Sequence, residues 1–188
     1  MMPNDLPTAS APGLDTATLA MGCFWCSNAV FEEVKGVKSV TAGYTGGTVP
    51  HPTYEAVCTG TTGHAEAAQI VFDPSVVSYA QLLEIYWQTH DPTQLNQQGA
   101  DHGTQYRSAI FYHNEEQRKQ AESYKKQLDS SGAWDKPIVT EITPLKEFYK
   151  AEDYHQEYYL NNSGASYCQY VIKPKLDKFH KVFKDLVK

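Results

Sequence analysis

The apolar pattern of this chain switches between strand and helix spacing twice, in the same order. Residues 16–21 read as a strand, and Phe24, Ala29, Val30 and Val34 then suit a helix closed by Gly36. Residues 37–44 are β-branched enough for a second strand. The cycle repeats with an alternating strand over 65–72 and a helix after it. On that helix Tyr79, Leu82, Leu83, Tyr86 and Trp87 form an i, i+3, i+4, i+7, i+8 stripe behind Ser78 as N-cap. A strand over 107–113 closes the second unit. Two β-α-β units in succession predict an α+β fold of the split, ferredoxin-like kind, an antiparallel sheet with two helices packed on one face.

The remainder is less periodic. Residues 114–130 predict a polar surface helix, 138–142 an added strand, and 154–160 a short helix. A final helix over 174–188 presents Leu176, Phe179, Phe183 and Leu186 on one face. The stretch GYTGGTVPHPTY, with three Gly and two Pro, predicts a long shaped loop. Residues 1–14 carry three Pro and no periodic pattern, which predicts a flexible tail ahead of a single domain over 15–188.

Bulk properties exclude several classes of function. A hydrophobic fraction of 41% against 20% charged residues supports one core and argues against a disordered chain. The net charge of −6 and pI near 5.6 argue against nucleic acid or anionic lipid as the main partner. No basic and apolar leader is visible, and no window approaches the ~18 apolar residues of a membrane span. The expected compartment is the reducing cytoplasm.

Chemistry then rests on individual side chains. Four cysteines are too few for a disulfide scaffold. Cys23, in Gly22-Cys23-Phe24-Trp25-Cys26, falls where a strand gives way to a helix. Unpaired N–H groups there favour a thiolate, which makes Cys23 a candidate nucleophile. Cys26 lies at the spacing of a C-x-x-C redox pair. Zinc is the weaker alternative, because no second pair completes four ligands. In GTTGHAEAAQIVFD, Glu66 sits at the head of an apolar strand. Enclosed by aromatic rings, such a carboxyl keeps its proton near neutral pH and acts as an acid. The loop QGADHGTQYRS gathers Asp101, His102, Tyr106 and Arg107 among glycines, as a rigid functional loop would. Cys168 follows a Tyr-rich segment and a flexible Asn-Asn-Ser-Gly stretch, the setting a resolving thiol needs. The tyrosines themselves are explained by a core edge, and Cys58 by a structural role.

Five ordered motifs, GCFWC, GYTGG, PTYEAVCTGTTGHAEAAQIVFDP, HDPTQLNQQGADHGTQYRSAIF and AEDYHQEYYL, span about residues 20–168. In these the chain resembles the peptide methionine sulfoxide reductase A family. The resemblance implies an α+β fold with a ferredoxin-like core and reduction of the S epimer of methionine sulfoxide, free or in oxidised proteins. It implies no metal and no bound organic cofactor. By motif, the nucleophile falls on Cys23 and the acid on Glu66. The hydroxyls that hold the sulfoxide oxygen fall on Tyr54 and Tyr106, the S-methyl pocket on Phe24 and Trp25, and Asp101 lines the site.

The implied cycle leaves Cys23 as a sulfenic acid, which a second Cys converts to a disulfide. An external dithiol, thioredoxin in the cell or dithiothreitol in vitro, then reduces it. Here Cys26 replaces the last Gly of the more familiar GCFWG, and a Gly-rich C-terminal tail with a further Cys is absent. Cys168 and Cys26 are therefore both candidate resolving residues, Cys168 slightly favoured. The chain is expected to act as a monomer. Two other readings stay open from the residues alone: a thioredoxin-like disulfide oxidoreductase using Cys23 and Cys26, and a binding module with an aromatic pocket.

Overall fold

A computed structural model of the chain describes residues 13–188; positions 1–12 of the expected flexible tail lie outside them. The first half runs β1 (Asp15–Met21), α1 (Phe24–Phe31), β2 (Val37–Thr45), α2 (Tyr54–Cys58), β3 (Ala65–Phe72) and α3 (Tyr79–Gln88). The short strands β4 (Gln97–Gln98) and β5 (Asp101–His102) precede β6 (Ser108–Tyr112) and α4 (Glu115–Ser131). Then come β7 (Glu141–Pro144), β8 (Phe148–Lys150), α5 (Tyr158–Asn161), a wide π-type turn over Cys168–Ile172, and α6 (Lys173–Val182). The architecture is mixed α+β.

Six strands form one sheet in the order β7-β6-β1-β3-β2-β8. All neighbours are antiparallel except β7, which adds parallel to β6. The strand β3 is buried at every position, which explains its nearly unbroken apolar sequence. Its Ala68, Ile70 and Phe72 join Ala17, Leu19 and Met21 of β1 in the main core, under α1, α3 and α6. Period-two alternation puts Glu66 on this same helix-covered face. The opposite face is lined by small residues, Ala20, Ala65, Ala67 and Ala109, with Phe111 and Phe148 laid over them.

The stripe on α3 buries Tyr79, Leu82, Leu83, Tyr86 and Trp87 as the spacing predicts. Ser78 caps it in a reciprocal box, accepting from Gln81 N–H at 3.1 Å while Gln81 Oε1 accepts from Ser78 N–H at 2.9 Å. Elsewhere the boundaries move for identifiable reasons. The first helix stops at Phe31 rather than reaching Val34, because the backbone beyond it is claimed by the C-terminus. Lys35 N–H donates to Leu186 O at 2.7 Å and Lys188 N–H to Glu33 O at 2.8 Å, around a bridge between Val34 and Val187. The predicted strand over 138–142 forms later, as β7, and the predicted helix over 154–160 splits into a 3-10 turn, Asp153–His155, and α5. The final helix is three pieces: the π-type turn, α6, and a 3-10 turn over Lys184–Leu186. Neither α2, inside the Gly/Pro-rich loop, nor the edge strand β8 has a periodic signal, since each is only three to five residues long.

The pairing of β8 depends on Gly43. A Cβ there would run into the Phe148 ring and lie 2.6 Å from the Tyr149 carbonyl oxygen. Gly43→Ala is therefore expected to destabilise the fold by roughly 1–3 kcal/mol through overpacking, read as a lowered urea midpoint at unchanged slope; an unaltered midpoint would show that β8 yields freely.

Candidate active site

The turn from β1 into α1 delivers Cys23. Gly22 has φ +99°, and a Cβ on it would meet the Gln98 side chain at 2.8 Å, so the turn requires glycine twice over. Cys23 occupies the N-cap position of α1 with its side chain making no capping bond, while its carbonyl accepts from Cys26 N–H at 3.0 Å. The thiol is thus spared for other work at the positive end of the helix. It is nonetheless a buried group, and burial, the neighbouring Cys26 thiol and the Glu66 charge push its pKa well up.

Across the site, β3 places Glu66 opposite Tyr44 of β2. Its Oε1 accepts from Phe24 N–H at 3.1 Å, satisfying one of the orphan amides of the helix N-terminus. Its Oε2 is buried and without a partner. Desolvation outweighs the Phe24 hydrogen bond, with the Asp101 and Cys26 charges adding to it, and pushes the carboxyl up to about 8. At neutral pH the group carries a proton. Because Oε1 is the acceptor, that proton belongs on Oε2, free to be given to whatever enters.

Two tyrosine hydroxyls join it. Tyr54 opens α2 and Tyr106 ends a 3-10 turn over Thr104–Tyr106. Both pKa values are raised, first by burial and then by the nearby Glu66 charge, so both remain donors. Asp101 accepts from Tyr167 Oη at 2.6 Å, and that oxygen lies 3.7 Å from Cys26 Sγ.

One wall is aromatic. Trp25 stacks on Tyr158 with centroids 3.7 Å apart and planes at 8°, and meets Tyr167 edge-on. Phe24 lies deeper than a pocket residue would, fully buried against Tyr44 and His155. His155 holds the group together: its Nδ1 accepts from Trp25 Nε1–H at 2.9 Å, and its ring lies against Tyr54 and Phe24. Glu152 accepts from Tyr44 Oη at 2.8 Å and from Tyr54 N–H at 2.9 Å. The sequence reading missed His155, Glu152 and Tyr167. Their signal was the polar and aromatic density of AEDYHQEYYL and the Tyr before Cys168, which core-edge packing also explains.

Residues 15–187 match the family described as Peptide methionine sulfoxide reductase. The chain belongs to this family. It is 55% identical over 175 residues to "Peptide methionine sulfoxide reductase MsrA" of Saccharolobus solfataricus, covering 93% of this chain and 98% of that one. Among solved structures it is similar to reduced Mxr1 of Saccharomyces cerevisiae, with a TM-score of 0.76 at 34% identity over 84% of this chain and 91% of that one. It is similar also to Mxr1 in complex with Trx2, with a TM-score of 0.55 at 25% identity over 79% and 87%.

The family member's remaining thiols are distributed unevenly. The neighbouring Cys23 thiol draws the Cys26 pKa down to about 7, against the effect of burial. The two titrate as a pair, so one thiolate forms readily and a second does not. Cys168, expected on a mobile stretch, is instead fully buried at the start of the π-type turn, where burial and the Cys26 charge raise its pKa. Cys58, read from sequence as structural, is exposed, and burial of part of its surface raises its pKa. Among the described residues, no group of three or more His, Cys, Asp or Glu is placed to hold a metal ion.

The Glu66 proton makes a prediction about stability. Its folded pKa, about 8, lies above the ordinary 4.5, so the native state keeps a proton that the unfolded chain has lost. The group's contribution is full below pH 4.5 and is lost as pH rises toward 8. The stability of the wild type relative to Glu66→Gln is therefore expected to fall over that window by a few kcal/mol. Urea unfolding of both proteins under reducing conditions at several pH values measures it; parallel curves would mean that Glu66 is ionised throughout.

Proposed function

We propose that the chain reduces methionine S-sulfoxide, free or within oxidised polypeptides, to methionine, with Cys23 as nucleophile and Glu66 as acid. The observation that carries this reading is the unpartnered Oε2 of a protonated, buried Glu66 whose Oε1 is fixed on the first turn of the Cys23 helix. A sulfoxide sulfur accepts a nucleophile only when its oxygen is protonated or strongly hydrogen-bonded. Glu66 supplies the proton, and the Tyr54 and Tyr106 hydroxyls hold the oxygen. Trp25 walls the S-methyl group, with Phe24 behind it and Asp101 at the side. The order β6-β1-β3-β2 of the inner strands supports a ferredoxin-like core, with residues 15–188 acting as one domain.

In the first step the substrate oxygen takes the Glu66 proton as the Cys23 sulfur attacks the substrate sulfur, and the proton of the Cys23 thiol passes to Glu66, which ends the step protonated as it began. Oxygen then passes to Cys23 and methionine leaves. The substrate sulfur gains two electrons and the Cys23 sulfur loses two, which leaves a sulfenic acid. A second thiol expels water from it and forms a disulfide. The place of Cys26 in the first turn of the helix that Cys23 caps supports Cys26 as the first resolving residue, with Cys168 following by thiol–disulfide exchange to free Cys23. This inverts the slight preference for Cys168 drawn from sequence, because Cys168 is buried behind Cys26. A dithiol of the thioredoxin class restores the thiols, a reading supported by the Mxr1 complex with Trx2. We place the protein in the cytoplasm, acting as a monomer without a bound cofactor; among the described residues no helix is long and apolar enough to cross a membrane.

Single-turnover reduction of separated S and R epimers of a methionine sulfoxide peptide by prereduced protein tests the reaction. S-selective release of methionine is expected, slowed by roughly 10²-fold or more at pH 7 in Glu66→Gln; no methionine from either epimer would overturn the reading. The order of the thiols is tested without added reductant. The wild type should release two methionines per chain and end with a Cys26–Cys168 disulfide and oxidised Cys23, whereas Cys168→Ser should stop after one. Two methionines from Cys168→Ser would remove Cys168 from the sequence of exchange.

A further inference from the structure

Behind the aromatic wall lies a cavity of about 590 Å³ that the reaction does not use, between α1, the start of β2, α5 and α6. Three features give it the character of a binding site. Asn28 of α1 lines it at 1% exposure, and neither its amide nitrogen nor its amide oxygen has a hydrogen-bond partner. Glu32, the C-cap of the same helix, and Glu157 both line it, and burial followed by the Glu157 charge pushes the Glu32 carboxyl up to about 7. Among the described residues neither carboxyl is in an ion pair, whereas the neighbouring Lys173 is paired with Asp177 at 3.1 Å and His180 with Glu33 at 3.0 Å. Lys188 weakly offsets the Glu32 charge, and Lys38 also lines the space.

The cavity shares a wall with the reaction site. Tyr158 lines it and stacks on Trp25 at 3.7 Å. Val40 and Leu176 add apolar surface of the kind that takes the methylene stem of a long charged side chain. Two carboxyls outside any ion pair, an amide without partners, an aromatic ring and an apolar lining together match an alkylammonium or guanidinium side chain.

We propose that this cavity is a second recognition site for polypeptide substrates, receiving the cationic side chain of a lysine or arginine near the methionine sulfoxide. The inference rests on the reading of the Cys23 site as a sulfoxide reductase. Asn28 and Glu32 lie five and nine residues beyond Cys23, roughly 8 and 14 Å along the chain of α1. An extended peptide rises about 3.3–3.6 Å per residue, so the basic residue belongs about two to five positions from the sulfoxide. Free methionine sulfoxide leaves the cavity unused. The site thereby biases the enzyme among oxidised polypeptides without touching the reacting atoms.

Peptides of one length with a single methionine sulfoxide, and with Lys, Arg, norleucine or Glu at each position two to six residues away on either side, test this. At the best spacing Lys and Arg should lower KM by roughly three- to tenfold relative to norleucine, with kcat unchanged as for binding felt equally by ground and transition states. In the double variant Glu32→Gln/Glu157→Gln the Lys-to-norleucine ratio of KM should return to about one. A ratio of one at every spacing in the wild type, or a preference that survives in the double variant, would overturn the inference. Calorimetric titration with the unoxidised Lys peptide separates the two readings. Failure to reduce even the norleucine peptide would count against the proposed reaction, whereas binding of the Lys peptide that is lost in the double variant would still locate the cationic site.

Discussion

The Glu66 carboxyl and the Phe24 amide meet at 3.1 Å where the first turn of α1 abuts β3, and much of the site follows from that contact. It joins residues 42 apart in sequence and satisfies an amide that the helix cannot satisfy for itself. It also fixes which carboxyl oxygen is left to give up a proton. Glu66 is kept dry beside a separate buried cluster in which Phe24 packs against Tyr44 and His155, with Ala42, Val57 and Ala151 around them. The same dryness works against Cys23, whose thiolate it disfavours. The two demands are reconciled through protonation: a neutral Glu66 withdraws the negative charge that would oppose ionisation of Cys23. The Tyr167 hydroxyl, 3.7 Å from Cys26 Sγ, is placed to share negative charge that forms there.

Rigidity in the aromatic wall comes from a residue that takes no part in the proposed chemistry. By accepting from Trp25 at Nδ1, His155 is fixed as the tautomer protonated at Nε2. That nitrogen lies 4.0 Å from Glu152 Oε1, too far for a hydrogen bond, and has no other partner. Burial lowers the His155 pKa and so favours the neutral ring. A neutral imidazole among Phe24, Trp25, Tyr54 and Tyr154 packs as an aromatic residue while holding the indole by one directed bond. Glu152 is the complementary device, ordering Tyr44 and the first amide of α2 with one carboxylate.

How far the sequence could be read depended on the length of the signal. The strands β1 and β3 and the helices α3 and α4 each span seven or more residues with a clear period or cap, and they appear where expected. The edges failed. Strands β7 and β8 owe their existence to partners far along the chain, and α1 loses its last turn to the C-terminus. At the site, Cys23 and Glu66 were legible because a thiol at a strand-to-helix junction and a carboxyl in an apolar strand are locally anomalous. The residues that arrange them were not. The bonds from Trp25 to His155 and from Tyr167 to Asp101 bridge 130 and 66 positions, and nothing local marks either partner.

The positions of the thiols also suggest why the chemistry and its reversal need not interfere. Cys23 caps α1 and Cys26 lies in its first turn, both packed into the core, a fixed geometry that suits the proposed attack on sulfur and closure of the sulfenic acid. Cys168 stands at the start of a turn wider than an α-helix, next to the exposed segment 161–164 and just before Pro174, which has no N–H to offer the helix. Tyr170, two residues on, is 82% exposed. Exchange with an external dithiol requires access to that turn. In the proposed cycle, passing the disulfide from Cys23–Cys26 to Cys26–Cys168 returns Cys23 to its reduced, buried environment before the reductant acts.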